Sequence, residues 1–232
     1  MEEVRTKGIV IDSTDYKEYD KLLTIFTYDM GVIRAVIKGV KKSTAKSRFA
    51  GQLFCFTELI LSKRGEYYTV ISCDLIESFF EIAYNYEKFV LATDIVKVIK
   101  FVSKYQPDST ELFITFVSIL NVLLKTDTNL NLVYLKFLVE TLKVLGYKHN
   151  YNKCDKCQIS IENDAYLDLV AGAIVCGNCK TSKCAHIAKN VIHLINRVSN
   201  SEYVDLEAIE TADDTALSAL KVVQTLFKIN CN

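Results

Sequence analysis

Apolar residues in the first eighty positions fall into five short runs separated by polar or glycine-containing segments. Within the third run, Ile33, Ala35 and Ile37 share one parity. The basic residues Arg34 and Lys38 share the other parity. A period of two is typical of a strand that buries one face. Five short strands, with the long connection between the third and the fourth, predict a small barrel of the OB type. The runs are residues 8–11, 22–27, 32–38, 54–61 and 67–71.

From Phe79 onward the apolar spacing becomes helical, which predicts helices that pack into a bundle. Residues 153–185 interrupt this spacing, so the bundle is predicted to carry an insertion. We therefore predict a multi-domain α+β protein with an OB-type barrel (1–79) and a helical domain in two parts (80–152 and 186–232). The apolar stripes are Phe89, Ala92, Val96, Ile99 and Val102; Leu135, Leu138, Val139, Leu142 and Leu145; Val191, Leu194, Ile195 and Val198; and Ala216, Leu220, Val223 and Phe227.

No segment has the pattern of a membrane span or a secretory signal. The most apolar stretch, residues 112–124, contains Thr115, Ser118 and Asn121. It is shorter than the roughly 20 residues that a spanning helix needs, so it predicts a buried helix. The N-terminal residues lack the basic start and apolar run of a signal peptide. We therefore expect a cytoplasmic protein, with no membrane partner, whose eight cysteines stay reduced.

Four of the cysteines form two pairs, Cys154/Cys157 and Cys176/Cys179, on either side of an 18-residue spacer. A C-x2-C pair presents two thiolates on one tight turn, and a second pair at this distance completes a tetrahedron. The spacer has two short strand-like segments joined at Gly172 and predicts a zinc-ribbon-like hairpin. We therefore predict one structural Zn2+ per chain, with closed coordination that leaves no position for catalysis.

Other interpretations of the cysteines remain open at this stage. The two pairs could form a redox dithiol, although no βαβ context surrounds them. Cys184 or His186, just downstream, could replace one of the four ligands. Cys55, Cys73 and Cys231 lie apart from the pairs and are interpreted as small apolar residues or free thiols.

Charge is segregated along the chain. Lys plus Arg and Asp plus Glu both number 28, and this zero net charge by itself disfavours nucleic acid. Between residues 34 and 64, however, eight basic residues accompany one acid, Glu58, for a local charge of +7. Residues 201–215 carry six acids and no base, and we expect them to lie away from the basic segment. The basic residues are Arg34, Lys38, Lys41, Lys42, Lys46, Arg48, Lys63 and Arg64.

The basic segment coincides with the third strand and the loops of the predicted barrel, which OB-type barrels use to bind oligonucleotides. We therefore hypothesise that these eight residues bind DNA, mainly through phosphates. Aromatic residues are interleaved among them, and parity alone leaves open which of these could stack on bases. No phosphate loop or H-E-x-x-H motif occurs, so we expect neither enzyme activity nor a small-molecule substrate. The aromatic residues are Phe49, Phe54, Phe56, Tyr67 and Tyr68.

Several segments together resemble the bacterial RecO recombination-mediator family. They are residues 7–10, 23–27, Gly31, 38–42 and 47–49, followed by helices and the two cysteine pairs. The resemblance covers the whole chain and implies an OB domain, a helical domain and a zinc module. Its zinc motif corresponds to the four paired cysteines. Its basic barrel segment corresponds to Lys38, Lys41, Lys42, Ser47 and Arg48.

The resemblance also implies a function. Members of this family bind single- and double-stranded DNA, anneal complementary strands, and work with RecR and the single-strand binding protein to load recombinase. A different class of function is a protein–protein adaptor whose basic barrel surface docks an acidic peptide. A third class, a redox protein or metalloenzyme, would require an open metal site or a reactive cysteine.

Overall fold

The computed structural model describes residues 2–65, 67–105, 110–125 and 129–231. The chain forms two compact units, residues 1–124 and 125–232. Within the described ranges, no helix is long and apolar enough to cross a membrane.

The first unit is built on a closed five-stranded barrel in the order β1-β2-β3-β5-β4. Only the contact of β3 with β5 is parallel, and the other neighbours are antiparallel. This arrangement confirms the predicted OB-type barrel. The elements are β1 (Glu2–Tyr16), β2 (Asp20–Thr27), β3 (Gly31–Ile37), β4 (Cys55–Arg64), β5 (Tyr67–Ser78), α1 (Tyr86–Val102) and α2 (Thr110–Lys125).

β1 is much longer than its apolar run because it pairs with two different strands. Residues 2–9 pair with β4, and residues 8–16 pair with β2. The change of partner occurs at Gly8, where the backbone approaches the barrel core closely. A Cβ atom at this position would lie 2.5 Å from Ile25 Cγ2 and 3.3 Å from the Phe26 carbonyl oxygen. Gly8 is therefore required by the close approach of strands inside the barrel.

The barrel interior contains the apolar residues of the predicted parity. Ile33, Ala35 and Ile37 are buried on β3, whereas Arg34 is exposed between them. The two helices of this unit cover the barrel through aromatic contacts. The Phe113 ring of α2 lies 5.4 Å from the Phe26 ring, centroid to centroid, and the two rings are tilted by 57°.

These aromatic contacts explain why α1 and α2 form one compact unit with the barrel. The sequence instead groups residues 80–152 as the first part of a helical domain, because periodicity reports helices and not what they pack against. The division into segments 1–79, 80–152, 153–185 and 186–232 stays a prediction.

The second unit combines three helices with a small three-stranded sheet in the order β7-β6-β8. The two predicted strands of the hairpin are present, and Gly172 in their turn has a positive φ of 59°. The third strand, β8, was not predicted. The elements are α3 (Leu130–Val144), β6 (Ala165–Asp168), β7 (Ala173–Val175), β8 (Cys184–Ile187), α4 (Lys189–Asn200) and α5 (Asp213–Asn230).

The predicted apolar stripes of α3, α4 and α5 are largely buried, but a charged group lies among them. Lys136 is 5% exposed, and its Nζ donates to Glu140 Oε1 at 2.7 Å. Lys143 Nζ also donates to Glu140 Oε1, at 3.1 Å, and to the Ser199 carbonyl oxygen, at 3.0 Å. Lys136 Nζ lies 3.4 Å from the same carbonyl oxygen, so both lysines donate to a backbone carbonyl in the last turn of α4.

Replacing Gly8 by alanine tests the close approach in the barrel. We expect Gly8→Ala to lower the free energy of unfolding by about 1–3 kcal/mol, because a buried methyl group must displace Ile25 or the backbone. Urea denaturation measures this change. Thr14→Ala, at an exposed position of the same strand, is the matched control and is expected to cost under about 1 kcal/mol. Equal effects of the two substitutions would contradict the packing argument.

Replacing Glu140 by glutamine tests its pairing with the buried Lys136. Burial raises the pKa of this carboxyl group, but hydrogen bonds and charges from Lys136 and Lys143 outweigh burial and lower it. The carboxylate therefore stabilises the fold above its ordinary pKa of 4.5, and this contribution is lost as the pH falls through the lowered value. We expect Glu140→Gln to cost about 1–3 kcal/mol at pH 7, because it leaves Lys136 without its counter-charge.

Denaturation of both proteins between pH 7 and pH 3 measures this effect. The difference in unfolding free energy between wild type and Glu140→Gln should shrink as the carboxyl group is protonated. A difference that stays constant with pH would show that the charge of Glu140 does not stabilise the fold.

Candidate metal centre and nucleic-acid interface

The four paired cysteines converge in the second unit. Their sulfur atoms all lie within 4.8 Å of one another, and Cys157 Sγ is 3.8 Å from Cys176 Sγ. A tetrahedral zinc ion with Zn–S bonds of about 2.3 Å separates its sulfur ligands by about 3.8 Å. The cluster therefore has the dimensions of a four-thiolate metal site, and these four residues could hold a metal ion.

Each pair is shaped by a short backbone turn. Gln158 N donates to the Cys154 carbonyl oxygen at 2.8 Å, and Cys154 N donates to the Ile159 carbonyl oxygen at 2.9 Å. Gln158 has a positive φ of 61°, which curls the first turn back on itself. In the second turn, Cys179 N donates to the Cys176 carbonyl oxygen at 3.1 Å. These turns direct both sulfur atoms of a pair toward the same point.

Asp155 holds the two turns together. Its backbone N donates to the Ile174 carbonyl oxygen at 2.8 Å, and its Oδ2 accepts from Ile174 N at 2.7 Å. Ile174 is fully buried and lies two residues before Cys176. His149 Nδ1 lies 3.1 Å from the same Asp155 oxygen, so the carboxylate also contacts the segment that precedes the first turn. The distance between the two cysteine pairs thus follows from two hydrogen bonds between Asp155 of the first turn and Ile174 of β7.

The protonation of the thiols differs within the cluster. Burial of the sulfur opposes ionisation of Cys154, but backbone N–H groups of Cys157, Cys176 and Lys156 outweigh it and lower the pKa of Cys154 to about 6. Interaction with the Cys157 side chain, reinforced by burial, raises the pKa of Cys179 to about 12. Four thiolates this close repel one another, so a cation is the usual means of holding them all ionised.

Neither of the two alternative ligands belongs to the cluster. Cys184 Sγ accepts a hydrogen bond from Thr181 N at 3.3 Å. His186 Nε2 lies 2.8 Å from Asp164 Oδ2. Among the described residues, the paired cysteines are the only group of three or more potential ligands with the dimensions of a metal site. Their role as ligands stays a prediction.

The unpaired cysteines elsewhere are poor nucleophiles. Burial raises the pKa of the Cys55 thiol to about 12 and that of Cys231 to about 11. Burial also raises the pKa of Cys73, which packs against the barrel core. Thiols with raised pKa values remain protonated near neutral pH and react slowly.

All eight basic residues that the sequence selects are exposed, and strand register brings Lys63 and Arg64 within one strand of β3, which carries Arg34. Lys63 and Arg64 end β4 and pair with the first two residues of β5. β5 in turn pairs with β3 through Ala35 and Tyr68, next to Arg34. Lys38 follows β3, and the connection to β4 carries the other four. We call this set the cationic face: Arg34, Lys38, Lys41, Lys42, Lys46, Arg48, Lys63 and Arg64.

The β3–β4 connection is held against the β1–β2 turn. Lys41 N donates to the Tyr19 carbonyl oxygen at 3.0 Å, and Gly39 N donates to Asp20 Oδ1 at 2.8 Å. Lys42 Nζ lies 5.5 Å above the Tyr19 ring. The turn, residues 17–19, thus becomes part of the cationic face.

One charge of the cationic face is partly neutralised. Lys41 Nζ lies 2.6 Å from Asp15 Oδ2, and this hydrogen bond lowers the pKa of Asp15. Among the described residues, the other seven members have no ion pair. Their charges are available to an anionic partner.

The structure separates core aromatic residues from those that could stack on bases. Phe54 is buried, and Phe49 and Tyr68 pack against the barrel core. Phe56 packs on α2, with its ring centroid 5.7 Å from that of Phe113. Of the interleaved aromatic residues only Tyr67 is widely exposed, at 73%.

Two further aromatic residues, which the sequence pattern did not single out, are exposed near the cationic face. Tyr16 ends β1 and Tyr19 lies in the β1–β2 turn, and their side chains are 42% and 44% exposed. Lys17 Nζ lies 5.3 Å above the Tyr16 ring. The signal that could have found them is a Tyr-Lys-Glu-Tyr segment between two strands, since a turn cannot bury two tyrosines. They lie in the connection that OB-type barrels use to bind oligonucleotides.

The fold and the two sites define a class of protein in which an OB-type barrel with a cationic face precedes a helical unit with a four-cysteine, metal-type module. Family models agree with this description. The model for the N-terminal part of recombination protein O matches residues 1–79, and the model for its C-terminal part matches residues 83–230. The chain therefore belongs to the RecO family of DNA repair and recombination proteins.

Relatives along the full length support this assignment. A protein named DNA repair protein RecO from Acetivibrio thermocellus is 28% identical over 230 residues, which covers 98% of this chain and 92% of the relative. The protein of the same name from Clostridium novyi is 28% identical and covers 84% of this chain and 77% of its own. A third, from Caldanaerobacter subterraneus, is 27% identical and covers 96% and 91%.

Substitution of one cluster cysteine tests the metal centre. We expect the purified, reduced protein to contain about one zinc per chain by elemental analysis, and Cys154→Ser to lose it, because three thiolates close the site less tightly. Removal of the metal with a chelator should increase hydrogen exchange in β6 and β7, because the two turns that the metal would link lie on either side of this hairpin.

The matched control is Cys184→Ser, which alters a cysteine of the same module outside the cluster. This variant should keep its zinc. Loss of zinc from Cys184→Ser with retention in Cys154→Ser would overturn the assignment of ligands.

Proposed function

We propose that this protein binds single- and double-stranded DNA through its cationic face and acts as a non-enzymatic mediator of recombination. In this role it anneals complementary strands and, with RecR and the single-strand binding protein, helps to load recombinase onto coated strands. The observation that carries the proposal is a set of seven exposed cations, without an ion pair among the described residues, on the third strand and the loops of an OB-type barrel, the elements that bind oligonucleotides in other proteins. Membership of the RecO family supports it.

Electrostatics provides the mechanism of binding. Lys and Arg that neutralise phosphates release condensed counterions, so the affinity is independent of sequence and sensitive to salt. Tyr16, Tyr19 and Tyr67 offer exposed rings on which unpaired bases could stack. Neutralisation of two strands on one surface lowers their mutual repulsion, which would favour annealing.

The metal in this proposal is a structural Zn2+, held by Cys154, Cys157, Cys176 and Cys179. Four thiolates fill a tetrahedral ion and leave no open coordination position. The ion would link the two turns that precede and follow the β6–β7 hairpin, where few apolar residues are available to hold the chain. The proposed location of the protein is the cytoplasm, in association with the nucleoid.

The same surface suits a second role, the docking of an acidic peptide in place of DNA. Carboxylates of an acidic peptide, including the tail of the single-strand binding protein, could occupy the cations that bind phosphate. Such a peptide would then compete with DNA. A labelled oligonucleotide displaced by the peptide would show that both use the cationic face.

Substitutions in the β3–β4 connection test DNA binding. We expect Lys42→Ala/Lys46→Ala to reduce the slope of log affinity against log salt for a single-stranded oligonucleotide by about 1.4, because each lost phosphate contact removes about 0.7. Fluorescence anisotropy at several salt concentrations measures the slope.

Two controls accompany this measurement. Lys41→Ala should change the slope less than a single substitution of Lys42, because Lys41 is already paired with Asp15. Lys221→Ala, on an exposed part of α5, should leave the slope unchanged. A slope for the double variant equal to that of wild type would remove these residues from the interface.

A further inference from the structure

A second group of cations lies in a cleft on the outer side of the barrel. The cleft has a volume of about 280 Å³ and is formed where the C-terminal end of α1 passes over β1, β2 and β3. From the barrel side, Asp12, Thr24 and Arg34 form one row, because they are register partners across three neighbouring strands. The residues that line the cleft are Asp12, Thr24, Val32, Arg34, Lys100, Ser103 and Lys104.

Hydrogen-bond donors outnumber acceptors in this cleft. Arg34 and Lys104 have no ion pair among the described residues. The hydroxyl oxygen of Ser103 is buried and has no hydrogen-bond partner in the part of the chain that the structure describes. Among the described lining residues the one carboxylate is that of Asp12, which lies 3.2 Å from Lys100 Nζ and is thereby paired. The remaining donors therefore call for an acceptor-rich anion.

Helix electrostatics alone explains only part of this arrangement. Lysines near a helix C-terminus complement the helix dipole, and Lys100 and Lys104 could serve that purpose. Arg34, however, belongs to β3, and the hydroxyl group of Ser103 is neutral and does not offset the partial negative charge at the end of the helix. A convergence of charged donors from a strand and a helix is what an anion site requires.

We propose that this cleft is a phosphate-binding subsite that extends the DNA path from the cationic face onto α1. Arg34 belongs to both, so the subsite is continuous with the barrel surface. Lys104 and Arg34 bind the phosphate oxygens, and the Ser103 hydroxyl donates to the same group. This inference rests on the proposed binding of DNA by the barrel.

Two substitutions with different signatures test the subsite. Lys104→Ala should weaken binding of a single-stranded oligonucleotide about fivefold at about 0.1 M salt and reduce the salt slope by about 0.7, because one phosphate contact is lost. Ser103→Ala should weaken binding up to about tenfold and leave the slope unchanged, because a hydroxyl group releases no counterion.

The matched control is Lys97→Ala, since Lys97 lies on the same helix and its Nζ is paired with Asp94 at 2.8 Å, outside the cleft. It should leave both affinity and slope unchanged. Effects of Lys104→Ala equal to those of Lys97→Ala would overturn the subsite. If Lys42→Ala still lowers the slope in that case, the proposed function stands without it. Absence of salt-dependent binding in the wild type would overturn both.

A free phosphate is the other source of the same chemistry. Thermal unfolding in inorganic phosphate and in chloride, at matched ionic strength, separates the two sources. Stabilisation by phosphate that Ser103→Ala and Lys104→Ala abolish, with no effect of either substitution on DNA binding, would assign the cleft to a small anion and overturn the proposal. The subsite instead predicts loss of DNA affinity in both variants.

Discussion

The parallel pairing of β3 with β5 closes the barrel, and the arrangement of its surface depends on that closure. It is a short contact, through Ala35/Tyr68 and Val36/Thr69. Because β5 also pairs with β4, the contact brings Lys63 and Arg64, at the end of β4, within one strand of β3. The register of β2 with β3 places the β1–β2 turn at the same end. Cations that are far apart in sequence thus share one face, and like charges accumulate on a protein whose net charge is zero.

In the second unit the four-cysteine site depends on hydrogen bonds between the first cysteine turn and β7. Asp155 is hydrogen-bonded to β7, the strand that leads to Cys176, so the two cysteine turns are held together by contacts that do not involve a metal ion. Nearby, the Lys136–Glu140–Lys143 group stabilises the end of α4 in place of an apolar contact. In both arrangements a half-buried carboxylate takes part in satisfying polar backbone groups: Asp155 accepts from Ile174 N directly, and Glu140 pairs with the lysines that donate to the Ser199 carbonyl oxygen.

The sequence predicted the elements whose evidence is local. Alternation of Ile33, Ala35 and Ile37 identified the buried side of β3, and the cysteine spacing predicted four sulfurs that do converge. It could not show that Phe113 on α2 covers the barrel, because a helical stripe does not reveal its partner. It also missed Tyr16, Tyr19, Lys100 and Ser103, since their neighbours come from distant strands or helices. The polar ends of β1 and β5 were missed because pairing, not hydrophobicity, extends them.

Protection of lysines from chemical modification tests the central claim, that the cationic face binds DNA, most directly. Acetylation of the native protein with and without a single-stranded oligonucleotide, followed by mass spectrometry, compares all lysines in one experiment. The account predicts that DNA protects Lys38, Lys42, Lys46 and Lys63, whereas Lys221 on α5 is modified equally in both samples. Equal modification of all five lysines under conditions where the oligonucleotide is bound would contradict it.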